Sequence, residues 1–160
     1  MNKYIDSEAK QHVMKLVQFG AKVQVVSSKM VYVKFNLDQD IEVSYIYNIN
    51  KNNKYFLERI KPYPISIKEF DTDREVIDVI KIDYYQFANA VKSHNIHEFV
   101  KANKELHQVI KSFEDLFLYY NIPHDAITNI DKNIKEIQEI ISKTASKSNR
   151  VFFDKDPENL

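Results

Sequence analysis

The 160-residue chain has no cysteine, no tryptophan, a single glycine, Gly20, and four prolines. Without cysteine there can be no disulfide, no thiol nucleophile and no thiolate metal site. A chain of this length can still bury a sufficient apolar core without such staples. One glycine excludes the glycine-rich loops that cradle phosphates and dinucleotides, which need several glycines for close backbone approach. It excludes the Gly-x-Ser-x-Gly nucleophile elbow for the same reason. Ser27, Ser28, Ser142, Ser146 and Ser148 fall instead in turns or in a polar end segment. No run of about eighteen apolar residues is present, so no membrane-spanning helix and no membrane partner are expected. The opening Met1-Asn2-Lys3-Tyr4-Ile5-Asp6 lacks the basic, apolar and small-residue regions of a secretory leader, which makes a cytoplasmic location the expectation.

Hydrophobic residues make up 44% and charged residues 29%, a globular balance that fits one domain or two closely packed lobes. The abundance of Lys, Ile and Asn is what an AT-rich genome encodes, so a low-GC bacterium or one of its mobile elements is the expected source.

Apolar periodicity predicts an α+β chain: an N-terminal helix plus a four-stranded antiparallel β-meander, followed by an antiparallel three-helix bundle. The first helix spans Glu8 to Phe19, with Ala9, Val13, Leu16 and Val17 at three- and four-residue steps and Gly20 as a left-handed C-cap. Four short runs of period two follow, Val23–Val26, Met30–Phe35, Ile41–Tyr47 and Tyr55–Ile60, separated by turn-forming residues. Pro62 and Pro64 are expected to end strand pairing and to separate the lobes. Thr72 with Glu75 has capping-box spacing and opens a helix to about Lys92; the competing reading of Val76 to Ile82 as a fifth strand is the weaker one. Asn95 with Glu98 opens a long helix in which Phe99, Asn103, Leu106, Ile110, Phe113, Phe117 and Tyr120 share a seam. His124 to Lys143 carries Ile127, Ile130, Ile134, Ile137 and Ile141 on one stripe. These elements divide the chain into a helix-plus-meander lobe (1–66), a three-helix bundle lobe (67–145) and a flexible C-terminal tail (146–160). The seam through Ile110 and Phe113 is expected to be the tightest core of the molecule.

The sequence holds no complete catalytic, cofactor or metal constellation. His94, His97 and Glu98 cluster at one helix start, but His124 lies one helix length away, about 35 Å, and His107 about 15 Å up the same rod. A zinc site needs three or four converging protein ligands. Asn36-x-Asp38-x-Asp40 and Asp71-x-Asp73-x-Glu75 begin like calcium loops, but they lack the turn glycine, and Tyr47 or Ile82 stands where a bidentate glutamate belongs. The expectation is therefore a non-enzyme without cofactor.

Two binding readings remain. Phe113, Leu116, Phe117, Leu118, Tyr119 and Tyr120 make the end of the long helix apolar nearly all round, more than one seam can bury. The surplus either joins the bundle to the sheet or faces a partner. Val151, Phe152 and Phe153, following a polar stretch, suggest a docking segment able to add to a free sheet edge. Leu118, Tyr119, Val151, Phe152 and Phe153 are thus the candidate protein-contact residues, for a foreign partner or a second copy, and a regulator or inhibitor is the expected role. The alternative is nucleic acid. Residues 1–69 carry 11 basic against 7 acidic side chains, a balance of +4, whereas residues 70–160 carry 12 against 16, a balance of −4. Lys29, Tyr32, Lys34, Tyr47, Lys54 and Tyr55 in the basic part would supply stacking rings and phosphate contacts.

Overall fold

The computed structural model describes residues 3–38, 40–50 and 54–160. Its element order is α1 (Lys3–Gln18), β1 (Ser28–Asn36), β2 (Glu42–Asn50), β3 (Tyr55–Lys61), β4 (Ile65–Phe70), α2 (Asp73–Ala90), α3 (Ile96–Tyr119) and α4 (His124–Lys147). This is the expected α+β class: a helix, a four-stranded antiparallel sheet in the order β1-β2-β3-β4, then three helices. α1 ends as its sequence requires. The Ala21 amide donates to the Leu16 carbonyl and the Gly20 amide to the Val17 carbonyl, both at 3.0 Å, while Gly20 sits at φ 99°, a conformation other residues rarely adopt.

The number of strands is as expected, but their membership is not. Val23–Val26 lies outside any strand, and the fourth strand is Ile65–Phe70, beyond the prolines. β1 instead pairs with β2 along its full nine residues, from Ser28↔Asn50 to Asn36↔Glu42. Pro62 and Pro64 fall in the connection after Lys61, where a missing amide removes no ladder bond, and so they do not stop β4 from pairing with β3. The division expected at residues 66/67 falls inside β4.

α2 covers one face of the sheet. Its start is the capping box that the sequence indicates: the Glu75 amide donates to Thr72 Oγ1 at 3.2 Å, and the Thr72 amide to Glu75 Oε2 at 3.1 Å. Val76, Ile80 and Phe87 then meet Val43, Tyr45, Leu57, Tyr63 and Phe70 in the main buried cluster, with Val33, Phe35, Tyr47, Tyr55 and Ile67 packed around it. The core of the protein is therefore this helix-on-sheet layer and not the seam through Ile110 and Phe113, both of which are exposed.

α3 joins the core through its first half, where Ile96 and Val100 pack on Ile41 and Phe99 and His107 approach the Tyr63 ring. Asn95 does not form the expected capping box with Glu98. Its backbone, at φ −98° and ψ 11°, is not extended as an N-cap requires, and its side chain makes no capping bond. α4 begins after Pro123, runs one turn further than expected, to Lys147, and has no buried residue. Its stripe stays largely in solvent, with Ile134, Ile137 and Ile141 all exposed.

Candidate functional site

The best-organised polar cluster joins β3 to α2. Arg59 Nη1 donates to Asp83 Oδ1 at 2.8 Å and to Oδ2 at 2.9 Å, and the Tyr45 hydroxyl donates to Oδ2 at 2.7 Å. The guanidinium lies 4.6 Å from the Tyr63 ring centroid and 4.8 Å from that of Phe87, so aromatic faces complete its surroundings. Burial, and then the negative charge of Asp83, push the Tyr45 hydroxyl far above its ordinary ionisation range, and burial raises Tyr63 as well. Two open cavities of about 270 and 260 Å³ flank the cluster, lined respectively by Ile65, Val79 and Lys155 and by Phe87, Ala90 and Phe99. With both Asp83 oxygens occupied by Arg59 and Tyr45, the arrangement is a clamp between sheet and helix. Among the described residues, no group of three or more His, Asp or Glu side chains is placed to hold a metal ion.

The residues proposed for nucleic-acid binding are divided between the two faces of the sheet. Tyr32 and Lys34 alternate with the half-buried Val31, Val33 and Phe35 and so lie on the uncovered face. There Lys34 pairs with Glu42 at 2.8 Å, and Glu42 also receives Lys61 at 3.3 Å. The hydrogen bond from Lys34, the largest influence, holds the Glu42 carboxyl below its usual range. Tyr47 and Tyr55 lie on the opposite face, packed against the core under α2. Lys54 is bound to Asp71 and Glu69, and Lys29 is exposed. What the uncovered face does present is Met30, Tyr32, Phe56 and Ile60, all exposed. Ile60 is not among the sequence candidates, although Phe56-Leu57-Glu58-Arg59-Ile60 alternates faces like any strand.

The candidate protein-contact residues form two separate places. Leu118 and Tyr119 are exposed at the far end of α3, whereas Val151 and Phe153 are exposed beyond the far end of α4, a helix about 36 Å long at its 24 residues. Phe152 is half-buried, and the tail adds no strand to the sheet. It lies against α2 instead: Asn89 Nδ2 donates to the Val151 carbonyl at 3.3 Å, and Gln86, Ala145, Phe152 and Leu160 line a common cavity. Arg150 holds this turn together, donating to the Phe152 carbonyl at 2.7 Å and the Lys155 carbonyl at 2.9 Å and pairing with Asp156 at 2.7 Å. Those bonds use the carbonyls that edge pairing would need.

Further exposed apolar side chains stand on α3 and α4. Val109, Ile110 and Phe117 on α3, and Ile134, Ile140 and Ile141 on α4, are all exposed. Their polar neighbours are bonded within their own helices: Asn103 to the Phe99 carbonyl, Asn133 to that of Asn129, Thr144 to that of Ile140. No described helix is long and apolar enough to cross a membrane.

No protein family, curated protein or solved structure matches this chain.

Proposed function

We propose that the protein is a non-enzymatic interaction protein, a regulator or inhibitor, that engages a protein partner through the exposed apolar side of the α3–α4 hairpin. The observation that carries this reading is α4 itself. A 24-residue helix with five isoleucines on one stripe has no buried residue, although such a stripe is what a helix uses to pack. Soluble proteins rarely leave a contiguous apolar strip of this length in water unless something covers it. Between the two places proposed from the sequence, the hairpin is favoured, because the tail is already engaged with α2 through Asn89 and Arg150. The nucleic-acid reading retains only Tyr32 and Lys34 on the uncovered sheet face, with Lys34 neutralised by Glu42.

Affinity purification of the tagged full chain, alongside a Leu118→Ser/Tyr119→Ser variant and an Ile110→Glu variant, tests this. Loss of the same co-purifying protein from the hairpin variants, with unchanged circular dichroism, is the expected result. Retention of every partner by both variants, or capture of nucleic acid that weakens steeply with salt, overturns it.

A further inference from the structure

The regions without an assigned role include the Arg59–Asp83 cluster with its flanking cavities, the uncovered sheet face, the exposed apolar residues of α1, and the outward side of the α3–α4 hairpin. The first is internally satisfied at its carboxylate, and nothing on the uncovered sheet face selects an occupant. The hairpin does select one. We infer that a second copy of this chain covers it, two α3–α4 hairpins closing into one four-helix bundle. This inference deepens the protein-binding reading above and rests on it.

A two-helix seam buries one residue at alternating steps of three and four, whereas a helix inside a four-helix bundle buries a further row beside that seam. Both helices carry the further row. Val109-Ile110 and Leu116-Phe117 are adjacent apolar pairs seven residues apart on α3, and Ile140-Ile141 is such a pair on α4. Both members are exposed at Val109-Ile110 and at Ile140-Ile141, and only Leu116 of the Leu116-Phe117 pair is half-buried, so neither row is taken up within the single chain. Exposures of 62% at Val109, 64% at Ile110, 59% at Phe117 and 64% at Ile140 show how open these positions are. With Ile134 and Ile141 at 46% and 48%, these six side chains leave on the order of 700 Å² of mainly apolar surface in solvent. One partner in a standard interface contributes about 800 Å².

Charge and length favour a copy over a foreign partner. α3 and α4 together carry seven basic and eight acidic side chains, so a strongly charged partner of either sign gains nothing there. The charges are also paired along their own helices: Asp131 with Lys135 at 2.6 Å, Glu139 with Lys143 at 2.9 Å, Lys101 with Glu105 at 3.7 Å. A copy presents the same balanced rim, and the chain's zero net charge adds no long-range repulsion. Both helices have 24 residues, so two hairpins match in length from end to end. The end where α3 meets the sheet stays free of the contact, because Ile96 and Val100 are already committed to the core.

Sedimentation equilibrium of the full chain tests the inference. The expected mass at tens of micromolar is twice 19.0 kDa. Ile110→Glu/Ile140→Glu alters two positions that are exposed in the single chain, so helicity is retained while the mass falls to 19.0 kDa. Tyr32→Glu, on the uncovered sheet face, leaves the doubled mass in place. A cysteine introduced at Ile110 in the otherwise cysteine-free chain crosslinks two copies with a short bifunctional maleimide, and one introduced at Tyr32 does not; this second measurement holds even where the glutamates perturb folding. A wild-type mass of 19.0 kDa, a doubled mass that survives both glutamates, or dissociation by Tyr32→Glu overturns the inference. A single-copy protein whose foreign partner is lost on Ile110→Glu sinks self-association alone, whereas one that keeps every partner sinks the protein-binding reading too.

Discussion

Replacing Arg59 by Met should be among the most damaging single substitutions in the protein. The Arg59 side chain is 7% exposed and that of Asp83 is 17% exposed, so the change leaves a largely buried carboxylate with only the Tyr45 hydroxyl for company. Removing one partner of a buried ion pair destabilises by about 3 to 5 kcal/mol, because the remaining charge keeps its desolvation penalty and loses its counter-charge. Set against a total stability of about 5 to 15 kcal/mol, that is a large fraction. It corresponds to a melting temperature lower by roughly 6 to 20 °C, at about 2 to 4 °C per kcal/mol for a domain of this size. Methionine preserves the length of the stem and some contact with Tyr63 and Phe87, which leaves the loss of charge as the dominant change. Adding Asp83→Leu should then recover most of the stability, since the double variant has no charge to desolvate. Urea unfolding followed by circular dichroism gives the three free energies. An Arg59→Met cost below about 1 kcal/mol, or a double variant as unstable as the sum of the singles, would refute the clamp.

Leu57→Ala, at a position 1% exposed under α2, should cost about 2 to 5 kcal/mol by chemical denaturation; a value below about 1 kcal/mol means that the helix-on-sheet layer is not the core. Thr72→Ala removes the α2 capping box and should cost about 0.5 to 2 kcal/mol, with no loss expected if the box is idle in solution. Tyr45 has a raised pKa in the fold, so it stays protonated where the unfolded chain ionises; its contribution is intact below pH 10.0 and is lost progressively as pH rises above that value. The alkaline loss of stability should therefore be smaller in Tyr45→Phe, and an identical alkaline profile would count against the buried hydroxyl. Truncation after Asn149 removes Phe152 and the bond from Asn89 to Val151, and should lower stability by about 1 to 2 kcal/mol. A truncated chain that melts with the wild type means that the tail is not docked.

Local chemistry was legible wherever a single turn decides the outcome. Gly20 was read as a C-cap because only glycine enters the left-handed region freely, and it is found at φ 99°. Thr72 and Glu75 were read as a capping box because their two bonds lie within one helical turn, and both bonds form. Asn95 and Glu98 have the same spacing and fail, since the Ser93 hydroxyl takes the Asn95 amide and the backbone there is not extended. Spacing states that a cap is possible, while the incoming chain direction decides whether it forms.

The strands show the same division. Val23–Val26 has a strand's composition but pairs with no strand, whereas Ile65-Ser66-Ile67-Lys68 alternates and pairs with β3. Among the functional candidates, Tyr32 and Tyr47 look alike in sequence, and pairing with the same sheet from opposite sides of the pleat puts one in solvent and the other under α2. The partner candidates Leu118 and Phe152 were chosen by the same apolar logic. The first remains exposed and the second folds back beside Gln86.

The sequence by itself determined the class of fold, the helices and two of their ends, because periodicity and capping act over a few residues. Only the tertiary structure decided which run became the fourth strand, that the core lies between α2 and the sheet, and that the stripes of α3 and α4 stay uncovered. Burial depends on what the rest of the chain brings to each face, and an apolar stripe has the same spacing whether its partner is present or not.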